Sequence, residues 1–377
     1  MVYKGRRGTL IFLAVLAASL VILSSAIITT LAFGGTWVTL ADMPSEVEGY
    51  AAAAVDGKIY YVGGFSAGSD RRWLRIYDIV TDSWSTGATL PRPRRAEFGA
   101  ASNGTHIFVV GGRRRPFGGV VFNILDVYDP STDSWTRLSS MPVALATEYV
   151  VTYYKGKIYV TGGRTGTTPG LNPVRYFLIY DVASDTWSFG PDLPFNVSDA
   201  ATIAFPLLEK IYVFGGMSGP NEVLNTTLIY DISSNTWSLG PPMPEPKADA
   251  AVGICLGKIL VIGGWNGTST TRTVLVYDPF LDVWDYGPPL PSPKAQTQGV
   301  TVMHPGGVQA IHVAGGGFGG VGSGTSNYAF ICPEVGGSAS MSAQRSGLVG
   351  SNVLLLSALI LSTIIAGLGA VRALHKG

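Results

Sequence analysis

The stretch Lys210-Ile211-Tyr212-Val213-Phe214-Gly215-Gly216 is a short β-run closed by a glycine pair, and the chain contains six versions of it. KIYYVGG occupies 58–64, HIFVVGG 106–112, KIYVTGG 157–163, KIYVFGG 210–216, KILVIGG 258–264 and AIHVAGG 310–316. The pairs begin at Gly63, Gly111, Gly162, Gly215, Gly263 and Gly315, a spacing of 48 to 53 residues. Self-similarity at this period marks an array or a propeller, because one such unit cannot bury its apolar faces alone.

Each unit carries further markers in fixed order. A Tyr-Asp follows the first five pairs, at Tyr77-Asp78, Tyr128-Asp129, Tyr180-Asp181, Tyr230-Asp231 and Tyr277-Asp278. A tryptophan comes next, at Trp84, Trp135, Trp187, Trp237 and Trp284, and then a Leu-Pro or Met-Pro. This order resembles the Kelch repeat over roughly residues 36–335. The resemblance implies an all-β, six-bladed Kelch-type β-propeller with one four-stranded blade per unit.

The residues support that fold independently. Each unit holds four runs rich in Val, Ile, Tyr, Phe and Trp, separated by turn residues. The first two runs are joined by Asp56-Gly57, Asn103-Gly104, Lys155-Gly156 or Leu256-Gly257, dipeptides suited to tight hairpins. The runs are continuously apolar, as expected of a sheet covered on both faces. Tyr, Asp and Trp read as structural: Trp packs between blades and Asp closes a turn. The sixth unit lacks a tryptophan, whereas Thr36-Trp37-Val38-Thr39-Leu40 is a fourth strand with no unit before it. The N-terminal strand should therefore complete the last blade and close the ring, which removes exposed sheet edges.

Residues 1–35 contain an uncharged apolar run at 10–33, preceded by Lys4, Arg6 and Arg7. They read as a signal peptide or an N-terminal signal-anchor helix. After the propeller at 36–335 come a linker at 336–347, a second apolar run at 348–371 and a short basic tail at 372–377. Each run is long enough to cross a bilayer as a helix. The flanking basic residues place both tails in the cytoplasm and the propeller on the extracellular side of the cell membrane. Four sequons, at Asn103, Asn196, Asn225 and Asn266, are glycosylation candidates. Cys255 and Cys332 are too few for a disulfide framework and are expected as free, mostly buried thiols, with a bridge between them as the lesser alternative. Cys332 is read at the place of the Asp in other units.

Strand alternation puts the loops between strands two and three, and those between blades, on one face. Both chain ends leave from the opposite face, so the first face points away from the membrane. Arg71, Arg72, Arg92, Arg94, Arg95, Arg113, Arg114, Arg115 and Arg164 map to this outward face. Lys plus Arg total 26 against 25 Asp plus Glu, so this is a local patch rather than a nucleic-acid stripe. Guanidinium groups there suit carboxylate, sulfate or phosphate; the plainer alternative is a solvated, partly paired rim. Glu97, Glu148, Asp199 and Asp249 fall at the start of the innermost strands, where they could ring the channel mouth. Such a ring could hold a cation or accept hydrogen bonds from sugar hydroxyls, or simply bind inter-blade backbone. Trp265 could stack on a sugar.

No nucleophile–base pair or metal-ligand spacing is legible, and no catalytic residue, cofactor or metal is expected. His312 replaces an aromatic residue or leucine of the repeat and reads as a buried, hydrogen-bonded histidine. The expected function is a binding module for a protein or glycan partner, tethered to the lipid bilayer by one or two helices. The alternative is a carbohydrate-active enzyme resembling exported sialic-acid mutarotases.

Overall fold

A computed structural model describes residues 33–114, 120–148, 150–166, 172–317 and 324–333. All of them belong to the first of two compact units, Met1–Pro333. They form six four-stranded antiparallel sheets. Blade one is Ala51–Val55, Lys58–Val62, Leu74–Asp78 and Ser83–Thr86, from the channel outward. Blades two to five repeat that order. Blade six takes Gly299–His304, Val308–Ala314 and Asn327–Ile331 from the C-terminal side, and Thr36–Leu40 pairs with Asn327–Ile331 as its outer strand. Among the described residues three short hairpins, such as Phe65–Ser66 with Ser69–Asp70, decorate the loops between strands two and three.

The repeated residues explain the ring. Each tryptophan donates its indole N–H to a carbonyl of the preceding blade: Trp84 to Ala41, Trp135 to Ala88, Trp187 to Ser139, Trp237 to Pro191 and Trp284 to Pro241, at 2.8–3.0 Å. Trp37 donates to Pro288 at 2.8 Å, which closes the circle. The first Asp of each unit accepts turn N–H groups, as Asp78 does from Val80 and Thr81. A second acid, four residues on, takes the tyrosine hydroxyl: Tyr77 to Asp82, Tyr128 to Asp133 and Tyr180 to Asp185, at 2.6–2.7 Å. Asp82, Asp133 and Asp185 also accept an N–H from the neighbouring blade.

The glycine pairs are where blades approach most closely. Both members have positive φ in all six units. At Gly215 an added Cβ would lie 2.1 Å from the Lys247 carbonyl oxygen, so only glycine fits there.

The cysteine expectation is overturned. Cys255 and Cys332 form a disulfide, with Cα atoms 5.8 Å apart, between the inner strand of blade five and the end of the third strand of blade six. In the sixth unit Ile331 pairs with Ala310, the Lys position of the repeat. Ile331 thus takes the Asp place, and Cys332 lies one residue further. That single step turns the thiol toward blade five. Gln309 holds the junction: its carbonyl accepts from the Cys332 N–H and its side chain from the Leu256 N–H.

Residues 33 and 333 lie side by side on the face of the strand-three-to-four turns. The Phe33 ring stacks on Phe330 and Gly34 abuts Pro333. Among the described residues no helix is long and apolar enough to cross a membrane. The apolar runs, apart from Phe33, lie outside them.

Candidate functional site

The loop face is organised by a backbone ring at the channel mouth. The Glu97 N–H donates to Gly49, Asp249 to Asp199, Gln296 to Asp249 and Gly49 to Gln296. These contacts establish that Gly49, Glu97, Asp199, Asp249 and Gln296 are equivalent. All five have φ near +50° to +58°. Residues just after the glycine pairs bridge to this segment: Phe65 to Glu48, Arg113 to Ala96, Arg164 to Ala146, Met217 to Ser198 and Trp265 to Ala248. A side chain following the glycines is thereby delivered to the acids.

Arg113 consequently grips Glu97 through both guanidinium and carboxylate edges, and the pair is mostly buried. Nearby Glu97, Glu148 and Asp70 outweigh burial and raise the Arg113 pKa. Arg164 binds Asp199 and the Ser198 hydroxyl. Two of the three acids in the ring are thus neutralised inside the site; Glu148, expected in the ring, lies one residue past it, because the bridge from Arg164 to Ala146 puts Thr147 at the ring position of that unit. Ligand atoms of Glu148, Asp199 and Asp249 lie within 4.8 Å of one another, all buried. That all-oxygen set has the chemistry to hold a hard cation, one of the readings the sequence left open for these acids.

The remaining arginines divide sharply. Arg95 is not on the rim: it is fully buried and ion-paired at 2.6 Å with buried Asp126, because an arginine at this inter-blade position needs an internal counter-ion. Burial lowers its pKa and Asp126 opposes the shift. Arg137 shares Asp126 at 2.9 Å. Arg71 and Arg75 lie over the Trp73 ring at 4.8 and 4.1 Å, and Arg72 is bonded to the Leu90 carbonyl. Arg92, Arg94 and Arg114 stay exposed. With Pro93 they line an open cleft of about 520 Å³. Arg115 lies outside the described residues.

The channel itself is a second cavity, about 370 Å³, lined by inner-strand residues such as Ala52, Ala100, Thr152, Thr202 and Val252. Gln298 spans its wall, accepting from the Ala52 N–H at 2.6 Å and donating to Ala100 at 3.4 Å. Trp265 is half-buried, and its backbone is tied to Ala248, next to Asp249.

Buried cations were missed by the sequence reading. Lys247 and Lys294 occupy the same inter-blade position as Arg95, Val47, Leu145 and Val197; the carbonyls of 47, 145, 197, 247 and 294 accept the second glycine's N–H in their units. Lys247 contacts Gly263, Thr271, Thr273 and Glu245. Lys294 donates to Gly315 and Ser326, and burial lowers its pKa to about 8. Aligning on the glycines would have revealed three cations at a place of valine and leucine. His312 is buried and shares a 2.9 Å Nε2–Nε2 hydrogen bond with His304.

Asn196 and Asn225 are exposed on the loop face. Asn225 donates its side-chain amide to Met243. The Asn103 and Asn266 side-chain oxygens cap their own turns, which leaves each amide nitrogen outside those bonds.

Comparison with known proteins matches residues 59–322 to the Attractin/LZTR1 beta-propeller family. Kelch-like protein 36 of Mus musculus is 29% identical over 164 residues, covering 42% of this chain and 26% of that protein. Kelch-like protein terF of Aspergillus terreus is 26% identical over 196 residues, covering 48% and 41%. Beta-scruin of Limulus polyphemus is 29% identical over 180 residues, covering 45% and 19%. The chain therefore spans less than half the length of these relatives. A solved structure described as "Structure of YjhT" superposes with a TM-score of 0.61 at 18% identity, covering 78% of this chain and 95% of that one, a likeness of fold.

Proposed function

From the premise that the chain belongs to the Attractin/LZTR1 family of Kelch-repeat β-propellers, we propose that it is a membrane-anchored extracellular binding module. Its loop face takes an anionic group of a protein or glycan partner. The observation that carries this reading is the cleft of Arg92, Arg94 and Arg114, which are exposed, while Arg72, Arg95, Arg113 and Arg164 are bonded to partners within the propeller. A fork of guanidinium donors matches carboxylate and sulfate geometry. Residues 10–33 and 348–371 supply the anchor, and the basic residues beyond each run orient it with the propeller outside. Asn196, Asn225 and Asn266 would carry glycans on the other half of the face and leave the arginine half open.

The mutarotase-like alternative is less well supported. It would use Arg113 to hold a sugar carboxylate and a ring acid as base, yet Arg113 and Glu97 already occupy each other. The test is a screen of the full chain, in phosphatidylcholine nanodiscs, against carboxylated and sulfated glycans and cell-surface proteins. Binding that drops at least tenfold in Arg94→Glu/Arg114→Glu supports the reading. Hits whose affinity is unchanged in that variant would refute it.

A further inference from the structure

Using the repeat as a ruler exposes an asymmetry on the opposite face. The turn between strands three and four carries Val80-Thr81, Ser131-Thr132, Ala183-Ser184 and Ser233-Ser234 in blades one to four, but Phe280-Leu281 in blade five. These two side chains are 58% and 71% exposed. The turn between strands one and two changes in the same sector. Polar Asp56-Gly57 and Lys155-Gly156 give way to Pro206-Leu207-Leu208 in blade four and Leu256-Gly257 in blade five. Leu207 is 69% exposed, and Met303 of blade six 58%. Blades two and three show no such residue in either turn, and blade one only Val80.

Contacts link the three blades of this sector. The Phe280 ring packs edge-on against Phe205 of blade four at 5.8 Å, and Leu256 is tied to Gln309 of blade six. The sector carries charges of both signs: Lys258 pairs with Asp278, and Glu209 with Lys155 of blade three. Attraction to an anionic surface is therefore not its mode of contact.

The same face releases both chain ends, and the chain itself indicates what covers it. Only Gly34 and Gly35 separate the first apolar run from the strand at Thr36. On the C-terminal side the disulfide fixes Cys332 to Cys255, the residue next to Leu256. From there residues 333–347, including the linker at 336–347, lead to the second apolar run, with a reach of at most about 55 Å. The linker is built of Gly, Ser, Ala, Gln and Arg with one Met, a composition unsuited to covering an apolar arc.

We propose that the turn face of blades four to six docks on the bilayer surface, with Leu207, Leu256, Phe280, Leu281 and Met303 entering the boundary between headgroups and acyl chains. Apolar side chains on an interfacial surface partition to that depth. The propeller is thereby tilted, blade five down and blade two raised, which presents the arginine cleft obliquely outward. This inference rests on the membrane-anchored reading.

The test uses the full chain reconstituted in phosphatidylcholine vesicles. Because both native cysteines are bridged, Leu281→Cys and Ser131→Cys each accept one environment-sensitive fluorophore. A nitroxide-bearing lipid should quench the label at 281 at least threefold more than that at 131, and 0.5 M salt should not change the ratio. Adding Phe280→Asp to a chain labelled at Leu207→Cys should lower quenching at 207. Equal quenching at 281 and 131 in chains that float with the vesicles overturns docking alone. Quenching at 281 that depends on protein density overturns it in favour of a second copy. Chains that do not float with the vesicles overturn the anchored reading and docking together.

Discussion

His312→Leu tests the packing of the joint between blades six and one. His312 occupies the place of Tyr60, Phe108, Tyr159, Tyr212 and Leu260, so leucine is a residue the repeat already uses there. The ring is buried, stacked on His304 at 5.1 Å and 5.7 Å from the Tyr77 ring. Burial, then the neighbouring His304, lower the His312 pKa from 6.5 to about 3, with Asp82 opposing. His304 is lowered by burial too. A lowered pKa means the fold favours the neutral imidazole, while the unfolded chain takes up a proton as pH falls through 6.5. The stability tied to this group is intact above pH 6.5 and is lost progressively toward pH 3. At pH 4.5 the loss is about 2.7 kcal/mol, from two pH units at about 1.36 kcal/mol each. For a ring of this size that lowers Tm by about 4 °C. Circular dichroism melts of the full chain at pH 7 and 4.5 should show a Tm drop smaller by that amount in His312→Leu than in the parent. Equal drops in both proteins would refute the argument, because the titration would then come from groups elsewhere.

Gly215→Ala must place a Cβ against the Lys247 carbonyl at a φ of +62°, and should cost about 3 kcal/mol or more by urea unfolding; Gly219→Ala, with open space around it, should be neutral. Cys332→Ser opens a loop with a sequence separation of 77 and should cost about 4 kcal/mol, while peptide mapping without reductant should recover the 255–332 pair from the parent. Glu97→Gln strips the counter-charge from Arg113, whose side chain is 12% exposed, and should destabilise by about 2 kcal/mol; a melt matching the parent's would show that the pair contributes nothing.

The scaffold was largely legible because its determinants are local and repeated. Glycine at positive φ, tyrosine reaching an Asp or Asn five residues on, and tryptophan reaching back one blade recur with little change, so the copies correct one another. The N-terminal strand was found for the same reason: Trp37 was a marker without a unit. What resisted reading depends on side-chain reach between blades. Arg94 and Arg95 are adjacent in sequence, yet one faces water and the other is buried on Asp126; only the twist of the inter-blade loop separates them. Arg113 could be placed beside Glu97 by register, but their mutual pairing depends on geometry rather than composition. The disulfide was missed through one residue of register in the most divergent unit. Phe280-Leu281 was visible as a break in the turn pattern, but its side chains' exposure beside Leu207 and Met303 depends on the fold.

The claim that a partner engages the loop face is tested most directly by site-specific photo-crosslinking on cells expressing the full chain. Val120, exposed and bonded through its carbonyl to the Arg114 N–H, is replaced by cysteine to carry the crosslinker at the arginine cleft. Ser131→Cys carries it on the turn face. A discrete crosslinked product from position 120, lost on Arg94→Glu/Arg114→Glu and missing from position 131, is the predicted result. A partner captured from 131 and not from 120 would contradict the account.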